Sequence, residues 1–212
     1  MVLEELIKRP IIPVIEITDA DDAQPLAEAL LAGGLDVIEI TFRTAAASET
    51  ISRIKQAFPQ MLLGAGTVLS HQQANIALDL GVDFGLAPGL NSEIVQTFRK
   101  HNTCFIPGVA TPTEIEKALA LGCRMLKFFP AEALGGVPLL KALYGPYASQ
   151  GVLFCPTGGV NLQNLRHYLE LDWVKCVGGS WLATKRLITD RQWSTITEQV
   201  RQALALAKEL MR

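Results

Sequence analysis

Apolar residues along this chain gather in short, dense runs separated by longer mixed segments. Eight such runs stand out: 11–17 (IIPVIEI), 37–42 (VIEITF), 62–68 (LLGAGTV), 84–88 (FGLAP), 104–109 (CFIPGV), 125–130 (MLKFFP), 152–157 (VLFCPT) and 174–178 (VKCVG). Their length and their β-branched and aromatic content make them strands, and the segments between them have helical character. Successive runs begin roughly 20 to 27 residues apart, room for one strand, one helix of about three turns and two short loops. Nearly continuous apolar strands are buried on both faces, as in a parallel sheet clothed by helices. The pattern predicts an α/β fold, a (β/α)8 TIM barrel forming one domain over 1–212 with a short helical N-terminal segment. An open doubly wound sheet is the structural rival.

Punctuation along the chain agrees with that alternation. Asp19 or Asp21, Ser70, Asn91 and Thr111-Pro112 stand where N-caps and first turns belong. Gly33-Gly34, Gly81 and Gly122 stand where a left-handed residue ends a helix before the next strand. No Pro/Ser-rich linker divides the series.

Two charges break the apolar runs. In an extended run, residues two apart share a face, so Val37, Glu39 and Thr41 point one way and Ile38, Ile40 and Phe42 the other. The all-apolar face meets the helices, which leaves Glu39 pointing inward, where an unpaired carboxylate is costly. By the same count Met125, Lys127 and Phe129 face inward while Leu126 and Phe128 face the helices. A buried ion pair without further role is the plain alternative. Lys55, Lys100, Lys117 and Lys208, by contrast, fall in helical stretches where a solvated head is expected. Lys175 lies near the start of its run and reads as a surface lysine of the opposite end.

An amine attacks a carbonyl only without its proton, and lysine ordinarily holds that proton up to a pH of about 10. Desolvation among Met125, Phe128 and Phe129 would help release it, and a second cation such as Arg43 would add repulsion. Arg43 follows the second run, at the strand end where barrel enzymes keep their chemistry; a solvated loop arginine is the alternative. Thr157-Gly158-Gly159 after the seventh run and Gly178-Gly179-Ser180 after the eighth expose bare amides in the position where barrels bind phosphate. Tight strand-to-helix turns would also use such glycines.

Composition narrows the classes. The 212 residues are 49% hydrophobic and 19% charged with a formal net charge of -2, so no basic field favours nucleic acid or an anionic membrane. No apolar stretch approaches the roughly 18 residues of a membrane span. The start, MVLEELIKRP, lacks a secretory pattern, so the expected location is cytoplasmic. Cys104, Cys123, Cys155 and Cys176 are scattered without a CxxC pair and read as buried reduced thiols. His71, His101 and His167 fall on or beside helices at no ligand spacing, so no metal centre is expected. GAGTVL lacks the third glycine of a dinucleotide fingerprint, and no GK[ST] loop is present.

The motifs GGLDVIEITFRT (33–44), GAGTVL (64–69), FGLAPG (84–89), FIPGVATPTE (105–114), LKFFPAE (126–132), FCPTGG (154–159) and VGGSWL (177–182) closely resemble the 2-keto-3-deoxy-6-phosphogluconate aldolase family, which also cleaves 4-hydroxy-2-oxoglutarate. The resemblance runs from about Pro10 to the last helix. It implies a class I aldolase that needs neither metal nor cofactor, commonly a homotrimer, acting on a phosphorylated 2-keto acid in sugar-acid breakdown of the Entner-Doudoroff type. It further implies Lys127 as the Schiff-base lysine, Glu39 as general acid/base, and Arg43 and Thr67 as holders of the pyruvyl carboxylate. Gly158, Gly159 and Ser180 match phosphate contacts, and Pro88, Phe129 and Thr157 line the substrate pocket. Glu16 has no assigned place in that scheme. Alternatives are an aldolase for the galactonate-derived epimer, a phosphate-binding isomerase or epimerase working without an imine, and a non-enzymatic phosphate binder.

Overall fold

The computed structural model describes residues 2–210. Its strands are β1 (Ile11–Ile15), β2 (Val37–Thr41), β3 (Leu62–Gly66), β4 (Phe84–Leu86), β5 (Cys104–Ile106), β6 (Gly108–Val109), β7 (Met125–Phe128), β8 (Leu153–Pro156) and β9 (Val177–Gly179). The helices are α1 (Val2–Leu6), α2 (Ala23–Gly33), α3 (Ala47–Ala57), α4 (His71–Asp79), α5 (Ser92–Lys100), α6 (Pro112–Ala120), α7 (Gly136–Tyr144), α8 (Leu165–Leu169), α9 (Lys185–Thr189) and α10 (Trp193–Leu210). Among the described residues, no helix is long and apolar enough to cross a membrane.

All strand pairs are parallel. One sheet runs β5-β4-β3-β2-β1-β9 and the other β6-β7-β8. β5 and β6 are two pieces of the run 104–109, divided by Pro107, which has no amide hydrogen for a ladder. Before the break the chain pairs with β4; after it, Gly108 pairs with Lys127 on β7. At the other margin β8 meets the chain of β9 through two isolated bridges, Phe154 with Val174 and Thr157 with Gly178.

Helix starts follow the expected chemistry. Asp19 caps a short 3-10 turn ahead of α2, Ser70 caps α4 and Asn91 caps α5. Thr111 opens α6 with a capping box: its hydroxyl accepts from the Glu114 amide, and Glu114 Oε2 accepts from the Thr111 amide at 2.9 Å. Gly34, Gly81 and Gly122 carry positive φ values of 97°, 70° and 78° at the helix ends.

The helices bury one face each. Leu26 and Leu30 of α2, Ile51 and Ile54 of α3, Val95 and Phe98 of α5 and Leu140 of α7 join Ile38, Ile40, Leu63, Phe84, Leu126 and Phe154 from the strands in one core cluster. Each such side chain contributes roughly 1.5–3 kcal/mol on burial. Ile38, Ile40, Leu126 and Phe128 thus occupy the apolar layer, as the alternation of faces predicts.

Several boundaries depart from expectation. The first strand stops at Ile15, leaving Glu16 beyond it, and the third stops at Gly66, where Thr67 turns the chain into a left-handed conformation (φ 56°). The last strand begins only at Val177, so Lys175 precedes the ladder of β9, its amide reaching Phe154 O at 3.3 Å. Cys104 is only partly buried, whereas Cys123, Cys155 and Cys176 are buried; all four are free thiols.

Candidate active site

Glu39 is central in β2, between β1 and β3, and Lys127 is central in β7, between β6 and β8. Their sequence positions lie 88 apart, yet Lys127 Nζ donates to Glu39 Oε1 at 3.4 Å. Both side chains are almost wholly enclosed, at 5% and 1% exposure. An ammonium and a carboxylate so little exposed stabilise each other, since burial strips either charge of most of its solvation. The Phe129 ring lies 5.6 Å from Nζ, giving the amine an apolar wall.

Small residues make room for the pair. A Cβ built on Gly66 would overlap the Glu39 carboxylate, so the end of β3 can approach Glu39 only as glycine. Gly108, opposite Lys127 in the ladder, is packed against the backbone of Pro88; a side chain there would overlap that backbone.

Arg43, two residues past β2, directs its Nε to Thr67 Oγ1 at 3.3 Å. The positive φ of Thr67 is strained for a threonine and aims that hydroxyl at Arg43. The Arg43 side chain is 47% exposed, in keeping with a group that meets ligand from solution. Glu16 brackets it from the other side: Oε2 lies 3.9 Å from Arg43 Nη1 and Oε1 accepts from Lys185 Nζ at 3.0 Å.

The glycine loops have different supports. After β8, Gly158 (φ 97°) and Gly159 (φ 83°) turn the chain, and the side-chain amides of Asn161 and Asn164 both donate to Gly159 O, at 3.2 and 3.1 Å. Glu132 braces the same loop, its amide donating to Gly158 O at 3.0 Å while the Tyr168 hydroxyl donates to its Oε1. Burial, then the bond to Glu132, pushes the Tyr168 hydroxyl well above the usual phenol range. Buried Thr157 packs against Gly178 of β9, and Ser180 follows that strand with an exposed side chain. Among the described residues no hydrogen bond joins Ser180 to Gly158 or Gly159.

Lys127, Arg43, Thr67, Pro88, Phe129, Thr157, Gly158, Gly159 and Ser180 therefore stand in the C-terminal halves of strands or in the loops that follow them, and Glu39 stands at the middle of β2. Direct contacts unite Lys127 with Glu39 and Phe129, and Arg43 with Thr67; the glycine loops meet each other through Thr157 and Gly178. The bracing role of Glu132 and Tyr168 and the link from Glu16 to Lys185 escape the sequence reading. For Glu132 the available signal was its place in FFPAE, beside Lys127.

Two thiols border the site, Cys155 standing opposite Lys127 in the ladder with its Sγ 3.9 Å from Thr157 Oγ1 and Cys176 lying against Cys155. Burial pushes Cys104 up to about 12 and Cys123 up to about 11, and burial with a bond to Cys155 raises Cys176, so none of these three is poised as a thiolate nucleophile. His71 pairs with Glu93 on the surface, and His101 and His167 are exposed. A cavity of about 500 Å³ lies between Glu132, Gly136, Asn164, His167 and Tyr168, beside the braced loop.

Comparison with known proteins places this geometry in context. A model of the family described as KDPG and KHG aldolase matches residues 2–199. A 2-dehydro-3-deoxy-phosphogluconate aldolase of Haemophilus influenzae is 44% identical over 98% of this chain and 97% of its own length. A KHG/KDPG aldolase of Escherichia coli K12 is 40% identical over 94% of this chain and 92% of its own. Among solved structures, the KDPG aldolase of Legionella pneumophila with pyruvate captured at low pH as a covalent carbinolamine superposes with a TM-score of 0.88 at 43% identity, covering 92% of this chain and 94% of that one.

Proposed function

The chain belongs to the KDPG and KHG aldolase family, and from that premise we propose that it is a class I aldolase cleaving 2-keto-3-deoxy-6-phosphogluconate to pyruvate and glyceraldehyde 3-phosphate, and 4-hydroxy-2-oxoglutarate to pyruvate and glyoxylate. The observation that carries this reading is the enclosed Lys127–Glu39 contact at 3.4 Å. It offers a nucleophilic amine and, touching it, a carboxylate able to take its proton.

Lys127 attacks the C2 carbonyl, and loss of water from the carbinolamine leaves a protonated imine. Glu39, directly or through a water, removes the proton from the C4 hydroxyl. The C3–C4 bond breaks, its electron pair passes into the imine to form an enamine, and the aldehyde departs. Glu39 then returns a proton to C3, and hydrolysis of the pyruvyl imine frees pyruvate and the amine. One carboxylate serves both proton transfers, which suits a site with a single enclosed acid beside the lysine.

Arg43, steadied by Thr67, holds the substrate carboxylate as a planar fork. Gly158, Gly159 and Ser180 receive the phosphate, and Pro88, Phe129 and Thr157 line the space between. These contacts act through orientation rather than bond-making. The two sheets, joined at Pro107 and at the Thr157–Gly178 bridge, are read as one closed (β/α)8 barrel and one domain, the enzyme as a cytoplasmic homotrimer.

Sodium borohydride added with pyruvate is expected to fix one pyruvyl adduct per chain, mapping to the peptide that contains Lys127. An unmodified lysine would end the class I reading and favour an isomerase or epimerase without an imine. Gly66→Ala supplies a second check that leaves both reacting groups in place. Its methyl must displace the Glu39 carboxylate, and a shift of about 1 Å at such a site costs on the order of 10²-fold in rate. Borohydride trapping should persist in this variant while kcat falls; an unaltered kcat would contradict the placement of Glu39.

A further inference from the structure

We propose that Lys185 is an additional phosphate-binding residue, latched by Glu16 in the free enzyme and released onto the substrate phosphate, so that this pair sets the preference for phosphorylated over unphosphorylated keto acids. The inference rests on the reading that the loops after β8 and β9 receive the phosphate.

That cradle is short of positive charge. Its donors are backbone amides and the Ser180 hydroxyl, while the ligand carries nearly two negative charges at neutral pH. The loop sequence 157–164 (TGGVNLQN) has no cation, and the segment 16–22 after β1 (EITDADD) adds only acids. Lys185 is the first cation after Ser180. Thr184 caps the short helix α9 that begins with it, its hydroxyl accepting from Leu187 N at 3.3 Å, which fixes where the lysine stem starts.

The pairing brings its ammonium to the right margin. β1 and β9 lie side by side with Pro13 opposite Gly179, so Ser180 leaves β9 just ahead of the level at which Glu16 leaves β1. Lys185 Nζ reaches across that seam to Glu16 Oε1 at 3.0 Å. The same carboxylate lies 3.9 Å from Arg43, so it bridges the cation assigned to the substrate carboxylate and the first cation that follows Ser180.

Such a contact is easily exchanged. Glu16 and Lys185 are 34% and 57% exposed, and pairs in that setting are weak. A phosphate presents more charge and several acceptor oxygens to the same ammonium, and the flexible stem of lysine lets Nζ move while the backbone stays still. A bare ion pair at the surface would show none of the substrate dependence that this exchange requires.

The test compares kcat/KM for 2-keto-3-deoxy-6-phosphogluconate with that for 2-keto-3-deoxygluconate, the same acid without phosphate, in wild type, Lys185→Ala, Lys185→Arg, Glu16→Gln and the Glu16→Gln/Lys185→Ala double variant. Lys185→Ala is expected to lower the preference ratio about five- to tenfold, through KM, the scale of one partly exposed charge-assisted bond. Lys185→Arg should restore most of it. Glu16→Gln should raise the ratio when Lys185 is present and leave it unmoved in the alanine background. A ratio in Lys185→Ala equal to that of wild type, or a Glu16→Gln effect that persists without the lysine, overturns the inference while the phosphate reading stands. A wild-type ratio near one overturns the phosphate reading itself, and with it the inference.

Discussion

Lys127→Ala is expected to lower kcat at least about 10⁴-fold, because without the amine no imine exists to accept the electrons of the breaking bond and nothing nearby replaces that covalent route. Borohydride with pyruvate should then leave the protein unmodified. The substitution also removes the partner of a carboxylate that is 1% exposed. Stranding one member of a buried pair costs on the order of 3 kcal/mol or more, so the variant should melt lower, and its activity must be measured below that transition. Adding Glu39→Gln to Lys127→Ala removes the stranded charge and should recover part of the lost stability without recovering turnover. Near-normal rates in a folded Lys127→Ala protein would refute the mechanism.

Glu39→Gln is expected to separate bond formation from proton transfer. The amide keeps the shape of the carboxylate beside Gly66 but cannot accept the C4 hydroxyl proton, so kcat should fall about 10²- to 10⁴-fold, the usual range for a lost general base. Lys127 remains, and pyruvate should still be fixed by borohydride, more slowly, with the adduct visible by mass spectrometry. Exchange of the pyruvate methyl protons with solvent should fall in parallel with cleavage, since the same group handles both protons. Exchange at the wild-type rate would assign the proton transfer to another residue.

Much of this was legible in the strands. Period-two alternation turns Glu39 and Lys127 to the face opposite Ile38, Ile40, Leu126 and Phe128, and the structure encloses both charges in contact. Helix signals were readable for the same local reason: Ser70, Asn91 and Thr111 satisfy amides within three residues of themselves. Other features depend on partners that no window contains. Glu16 is a charge at a strand end until Lys185, 169 positions away, is seen to hold it. Glu132 sits in a recognisable motif, but its bond to Tyr168 arises only when α8 packs beside the loop after β8. The division of 104–109 at Pro107 follows from proline chemistry, whereas which neighbour each half would choose is a property of the assembled sheets.

The order in which the reacting groups leave the ribosome is a consequence of placing the carboxylate in one sheet and the amine in the other. The N-terminal part of the chain carries the acid through most of the longer sheet, yet it owns no nucleophile until the seventh strand has emerged, and that longer sheet lacks its last member until β9 follows. A fragment that ends before β7 therefore carries the acid without the amine.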